Sequence, residues 1–185
     1  PRVSGTLSTE HRQALVPFAD FRAFQRNISD TDRRIFNLDG WLAGGWHLLL
    51  GIYNSETKYT QVFLPQTSSR STGAEAGLRY IAASGSSVTA TRRSSRGITL
   101  NQPLDPVNCI DDGFRLQESE LHSTWLVSGK STVTGRLNWT ERSHEHFPQR
   151  DFSGMAGNLD YTWTPTGKLR LAVSARREIG AWTDL

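Results

Sequence analysis

Between residues 132 and 142 apolar and polar positions alternate, Val133, Gly135, Leu137 and Trp139 against Thr134, Arg136, Asn138 and Thr140. A period of two is what a pleated strand imposes, with one set on each face. Residues 169–177 repeat it, Leu169, Leu171, Val173 and Ala175 against Arg170, Ala172, Ser174 and Arg176. Read this way, the chain predicts nine strands, at 2–12, 33–43, 46–56, 72–81, 87–96, 115–126, 132–142, 155–163 and 169–177. Two depart from clean alternation: 47–52 is apolar on both faces, and the strand from Leu116 sets Glu118, Glu120 and His122 against Leu121, Ser123 and Trp125. Four connections are short and carry glycine, at Gly44 and Gly45, 82–86, 127–131 and 164–168, whereas 16–32, 57–71, 97–114 and 143–154 are long and polar. Glycines 45, 85, 129 and 167 are spaced by 40, 44 and 38 residues, a hairpin repeat.

Short turns on one rim and long loops on the other are the layout of outer-membrane barrels. The expected fold is all-β, an antiparallel up-and-down transmembrane β-barrel or a nine-strand part of a larger one. It forms one domain over 1–185. Nine strands leave the ends on opposite rims while bacterial single-chain barrels use an even number, so at least one further strand is expected. The chain opens at Pro1 without an initiating Met or signal peptide and ends at Leu185 without a terminal aromatic, which reads as a domain incomplete at both ends. Pro17, Pro65, Pro103, Pro106, Pro148 and Pro165 all fall in the proposed loops or turns, as the missing N–H requires. Trp46, Tyr80, Trp125, Tyr161 and Trp163 lie near the short turns, where an interfacial aromatic girdle would sit; the alternative is the core of a β-sandwich.

Composition narrows the choice. Of 185 residues only 36% are hydrophobic and mean hydropathy is -0.48, lean for a packed sandwich but ordinary for a barrel with a wet interior. No apolar run approaches the roughly 18 residues of a membrane helix. A net charge of +3 is too small an excess to argue for nucleic acid, and a lone Cys109 excludes an intrachain disulfide and a thiolate cluster.

The strings SGKSTVTGRLNWTERSHEHFPQRDFSG and LDYTWTPTGKLRLAVSARRE, with LSTEHRQALVPFADFR, GWHLL and GLRYIAASGSSV earlier in the chain, resemble the EpsL-type outer-membrane β-barrel proteins of exopolysaccharide-biosynthesis operons. The resemblance implies a porin-like, Gram-negative outer-membrane protein that takes part in polysaccharide export, with a polysaccharide as passenger, outer-membrane lipid around it and periplasmic export machinery as a further partner. It carries over no catalytic residue, cofactor or metal. Members of that family are larger than this chain.

Alternation puts one set of charges on the face that would line a lumen: Asp39, Glu75, Arg79, Arg93, Glu118, Glu120, His122, Arg136, Asp160, Arg170 and Arg176. Their signs alternate largely from strand to strand. Two readings follow: a charged conduit whose guanidinium forks bind the carboxylates of a passing glycan, or a cross-strand ion-pair ladder that sets register and fills the interior. Arg92, Arg96, Arg142 and Arg177 lie toward the long-loop rim, at the expected mouth, and the segment 22–34 carries Phe24, Arg26, Arg33 and Arg34 as a loop. His144 and His146 form a His-x-His pair without an evident third ligand, and Asp105, Asp111 and Asp112 surround Cys109 without calcium-loop spacing; solvated loops are expected at both. His122–Ser123 and Ser143–His144 are adjacent and so face opposite sides of a strand, which denies them a nucleophile–base geometry. A barrel-wall hydrolase or acyltransferase is therefore the remote alternative to a passive pore or a filled, adhesive barrel.

Overall fold

The computed structural model describes residues 2–15, 27–60, 68–100, 104–105 and 111–178. Nine strands run in chain order: β1 (Val3–Leu15), β2 (Ile28–Ala43), β3 (Trp46–Tyr59), β4 (Ser69–Ile81), β5 (Ser87–Thr99), β6 (Gly113–Ser128), β7 (Ser131–His144), β8 (Phe152–Thr166) and β9 (Leu169–Arg177). Each pairs antiparallel with its sequence neighbours in one nine-stranded sheet. All nine strands expected from the alternation are present, and they lie in one sheet with no second layer over it among the described residues. The sheet is up-and-down but open, because β1 and β9 are its two edges.

Most strands extend several residues beyond their apolar patterning, toward the long-loop rim. Asp30, Asp32 and Glu56 continue the ladders opposite Gln13, His11 and Arg70, so polar cross-strand pairs carry the pleat where apolar alternation stops. Arg33 and Arg34 therefore belong to β2 and not to a loop, while Phe24 and Arg26 lie outside the described residues. Pro165 is likewise in β8, at a register irregularity between Trp163 and Thr166, the kind of site at which a strand tolerates proline. The β2–β3 turn is made by Gly44 and Gly45, both at positive φ (55° and 89°), the backbone that a tight hairpin demands.

Cross-strand register fixes the tilt. One line of paired residues runs Val3, Gly40, Leu48, Leu78, Ala90, Leu121, Leu137, Gly157, Arg177. It starts at the first residue of β1 and ends at the last of the nine in β9, a climb of one residue per strand. With about 3.3 Å per residue and 4.8 Å between strands, the strands lean roughly 35° from the rim normal, the inclination at which sheets close into barrels.

The two faces differ in composition, one carrying most of the large apolar side chains and the other the charges. Trp46, Leu50, Ile52, Leu78, Leu121 and Met155 are on the exposed face, and Phe147 is the one buried apolar side chain among the described residues. Leu137, Trp139, Leu171 and Val173 are 45–64% exposed, with nothing packed over them among the described residues.

Candidate functional site

Residues paired directly across strands share a face, and the register places Asp39, Glu75, Arg79, Arg93, Glu118, Glu120, His122, Arg136, Asp160 and Arg176 on the face opposite the apolar band. Alternation along β9 adds Arg170. Four of them are partly covered although charged, Glu75, Glu118, Asp39 and Arg79 at 25–31% exposed, while Arg136 and Arg176 are exposed.

Carboxylates and cations meet along this face. Asp39 accepts from Arg79 Nη2 on one oxygen and contacts His47 Nδ1 at 2.8 Å on the other. Arg93 donates to Glu75 Oε2 from Nε at 2.9 Å and Nη2 at 2.5 Å, and its Nη1 stands 3.6 Å from Glu118. Arg136 Nε lies 3.5 Å from Glu120. The ladder stops at β8: Asp160 accepts from Ser174 (2.6 Å) and Asn158 (2.8 Å), and Arg176 turns to Glu178 at 3.1 Å. Arg170 stands near the turn rim with Lys130 and Lys168, without a carboxylate in ion-pair range among the described residues.

The four rim arginines divide. Arg92 and Arg96 point to the apolar side, where Arg92 donates to Gln117 Oε1 (2.5 Å) and Arg96 pairs with Glu145 (3.0 Å). Arg177, paired with Gly157, shares that side. Arg142 alone is on the charged face, its guanidinium 4.0 Å from the Phe114 ring centroid.

Two aromatic rings on the charged face went unread in the sequence. Tyr53 pairs with Gly73 and Phe114 with Gly97, and each ring occupies the space of the missing side chain: a Cβ on Gly73 would sit 2.6–2.8 Å from Tyr53, one on Gly97 2.4–3.1 Å from Phe114. Glycine opposite a ring is a signal only once the register is known. Between β1 and β4 the charged face holds a depression of about 560 Å³, lined among others by Thr6, Arg33, Asn37, Tyr53, Glu75 and Arg93.

At the long-loop rim Asp111, whose side chain is 2% exposed, accepts from the backbone N–H of His146 and contacts its ring Nδ1, both at 3.0 Å; Asp112 is 3.8 Å from the same nitrogen. These three form a group that the sequence reading held apart. His144 faces Asp151 instead (3.5 Å), so the His-x-His pair does not converge. Cys109 lies outside the described residues. No family model, curated protein or solved structure matches the chain.

Proposed function

We propose that this chain is wall of a bacterial outer-membrane β-barrel that conducts an extracellular polysaccharide, with acyl chains against the apolar band and the charged face toward the lumen. One observation carries the reading: large apolar side chains are exposed along one face of the whole sheet while Asp39, Arg79, Glu75 and Glu118 on the opposite face are partly covered. Water disfavours that arrangement at about 25 cal/mol per Å² of apolar surface, and lipid removes the cost. Trp46 and Tyr80, with ring centroids 5.0 Å apart, and Trp125, Tyr161 and Trp163 line the turn-side border of the band, the position of an aromatic girdle. The EpsL-type resemblance supplies the passenger. No catalytic step is part of the proposal.

A second reading, a structural or adhesive barrel with a filled interior, is favoured by the ladder from Asp39 to Arg136, whose cations are already matched by carboxylates. Planar-bilayer conductance of the full-length protein separates the two. A steady current blocked by an anionic oligosaccharide supports the conduit; an intact, inserted protein that passes no current supports the filled barrel. Arg170→Ala is expected to weaken the block without affecting folding, because no ion pair is lost, whereas Arg136→Ala is expected to act on stability through Glu120.

A further inference from the structure

We propose that the depression between β1 and β4 is a saccharide subsite in which a uronic-acid pyranose stacks on Tyr53 and places its carboxylate at Arg33. The inference rests on the export reading for its choice of ligand class, but its geometry is independent of it. Gly73 leaves the space that the Tyr53 ring occupies beside β4, with Tyr53 lining the depression, and Gly51 does the same for Asn37, whose Oδ1 is 2.9 Å from where a Gly51 Cβ would stand. Two glycines thus make a floor on which a ring and an amide are held without flexible side chains beneath them. The C–H face of a pyranose is apolar and slightly positive, complementary to the negative face of an aromatic ring; the amide of Asn37 and the hydroxyls of Ser4 and Thr6 meet its hydroxyl rim.

Arg33 gives the preference for an acid. It is the diagonal neighbour of Tyr53, paired with Ser55 across β2–β3, roughly 7–8 Å away by backbone. Its cross-strand partner is Glu10, and among the described residues no carboxylate stands in ion-pair range of it, which leaves its fork for a carboxylate. Arg93 is different: it is held by Glu75 and Glu118, with its guanidinium over the Tyr53 ring at 5.9 Å from the centroid, so it helps to hold the ring and is not the free cation. The volume lies within the range of small-ligand sites.

The test is calorimetric titration of the full-length protein in detergent with a glucuronic-acid hexasaccharide and a glucose hexasaccharide as neutral control. The acidic oligomer is expected to bind more tightly. Tyr53→Ala should weaken it about five- to tenfold, the order of one aromatic contact, and Tyr53→Phe should leave it unchanged. Arg33→Ala should bring the acidic oligomer to the level of the neutral one. Retained thermal unfolding midpoints for these variants establish that the fold is intact. Binding by Tyr53→Ala equal to the parent, or no binding of either oligomer, overturns the subsite. If the barrel conducts and is blocked while Tyr53→Ala binds normally, the subsite fails and the export reading stands; if the oligomer binds through Tyr53 but no current passes, the subsite stands alone.

Discussion

The Asp111 carboxylate is the most enclosed charge at the long-loop rim. Burial alone would raise its pKa, but the bonds from the backbone N–H and ring of His146 and from Gly113 N–H outweigh it and hold the group well below the usual carboxylate range. The reciprocal effect raises His146 above 6.5, first through its side-chain bond to Asp111 and then, against some desolvation, through the nearby Asp111, Asp112 and Glu145 charges. For His146 the stabilisation is complete below 6.5 and is lost as pH rises through the raised value; for Asp111 it is complete above 3.8 and is lost as pH falls through the lowered one. The clip between the two loops should accordingly be tightest between those ordinary values, about pH 4 to 6.5. The protection factor of the His146 amide, its exchange rate by NMR relative to the intrinsic rate at each pH, is expected to be highest in that window. In Asp111→Asn the ring pKa should fall back toward 6.5 and the maximum in protection should vanish. None of this was legible in the sequence, because Asp111 and His146 are 35 residues apart and meet only through the pairing of β6 with β7.

Strands, by contrast, were readable, because a two-residue period survives without knowledge of neighbours. All nine emerged, and the eleven charges assigned to one face share it. Their long-loop ends were cut short because the outward face turns polar there: Asp32 and Arg70 look like loop composition until their cross-strand partners His11 and Glu56 are seen. Turn glycines looked equivalent in sequence but differ in the fold. A Cβ on Gly45 would meet Ile81 O at 2.3 Å and Gly45 has φ +89°, whereas Gly129 has open space around it. Gly45→Ala should cost about 1–3 kcal/mol and Gly129→Ala within about 0.5 kcal/mol, read as shifts in the urea midpoint of micelle-embedded protein. The ladder sets a third comparison. Arg93→Ala leaves Glu75 and Glu118 facing each other, but the arginine is 46% exposed, so the loss should be about 1–2 kcal/mol, below the 3–5 of a fully buried pair. Adding Glu118→Gln should recover part of it, and a double variant no more stable than Arg93→Ala would show that the carboxylates do not repel through this site.

Tilt and band height together decide how the sheet would sit in a bilayer. At roughly 35° the apolar run Trp46 to Ile52 spans roughly 16 Å of height and Met155 to Trp163 roughly 22 Å, to which the terminal rings add, against the roughly 25 Å belt of outer-membrane barrels. The 14 residues of β3 reach well past that run, so the strands project beyond the belt at the long-loop rim. There the outward side carries the charged Arg34, Asp32, Glu56, Arg70 and Arg96, with Leu15 and Ile98 among the apolar exceptions. Position along a single strand should therefore decide tolerance to charge. Leu137, between Leu121 and Gly157 on the pairing line that crosses the band, is expected to lose about 2–4 kcal/mol of insertion free energy as Leu137→Arg, while Glu141→Arg, four residues nearer the rim, should lose about 0–1 kcal/mol. Refolding into vesicles with chains brominated at mid-depth adds a direct readout, because Trp139 lies between the two sites and its fluorescence should be quenched in the parent. Equal insertion of both arginine variants, with Trp139 unquenched, would place the band against something other than acyl chains. The open edges at β1 and β9 sharpen the test: a nine-stranded sheet with unpaired edges associates nonspecifically in water, so quenching that scales with bromolipid fraction, and not with protein concentration, distinguishes lipid contact from sheet-on-sheet stacking.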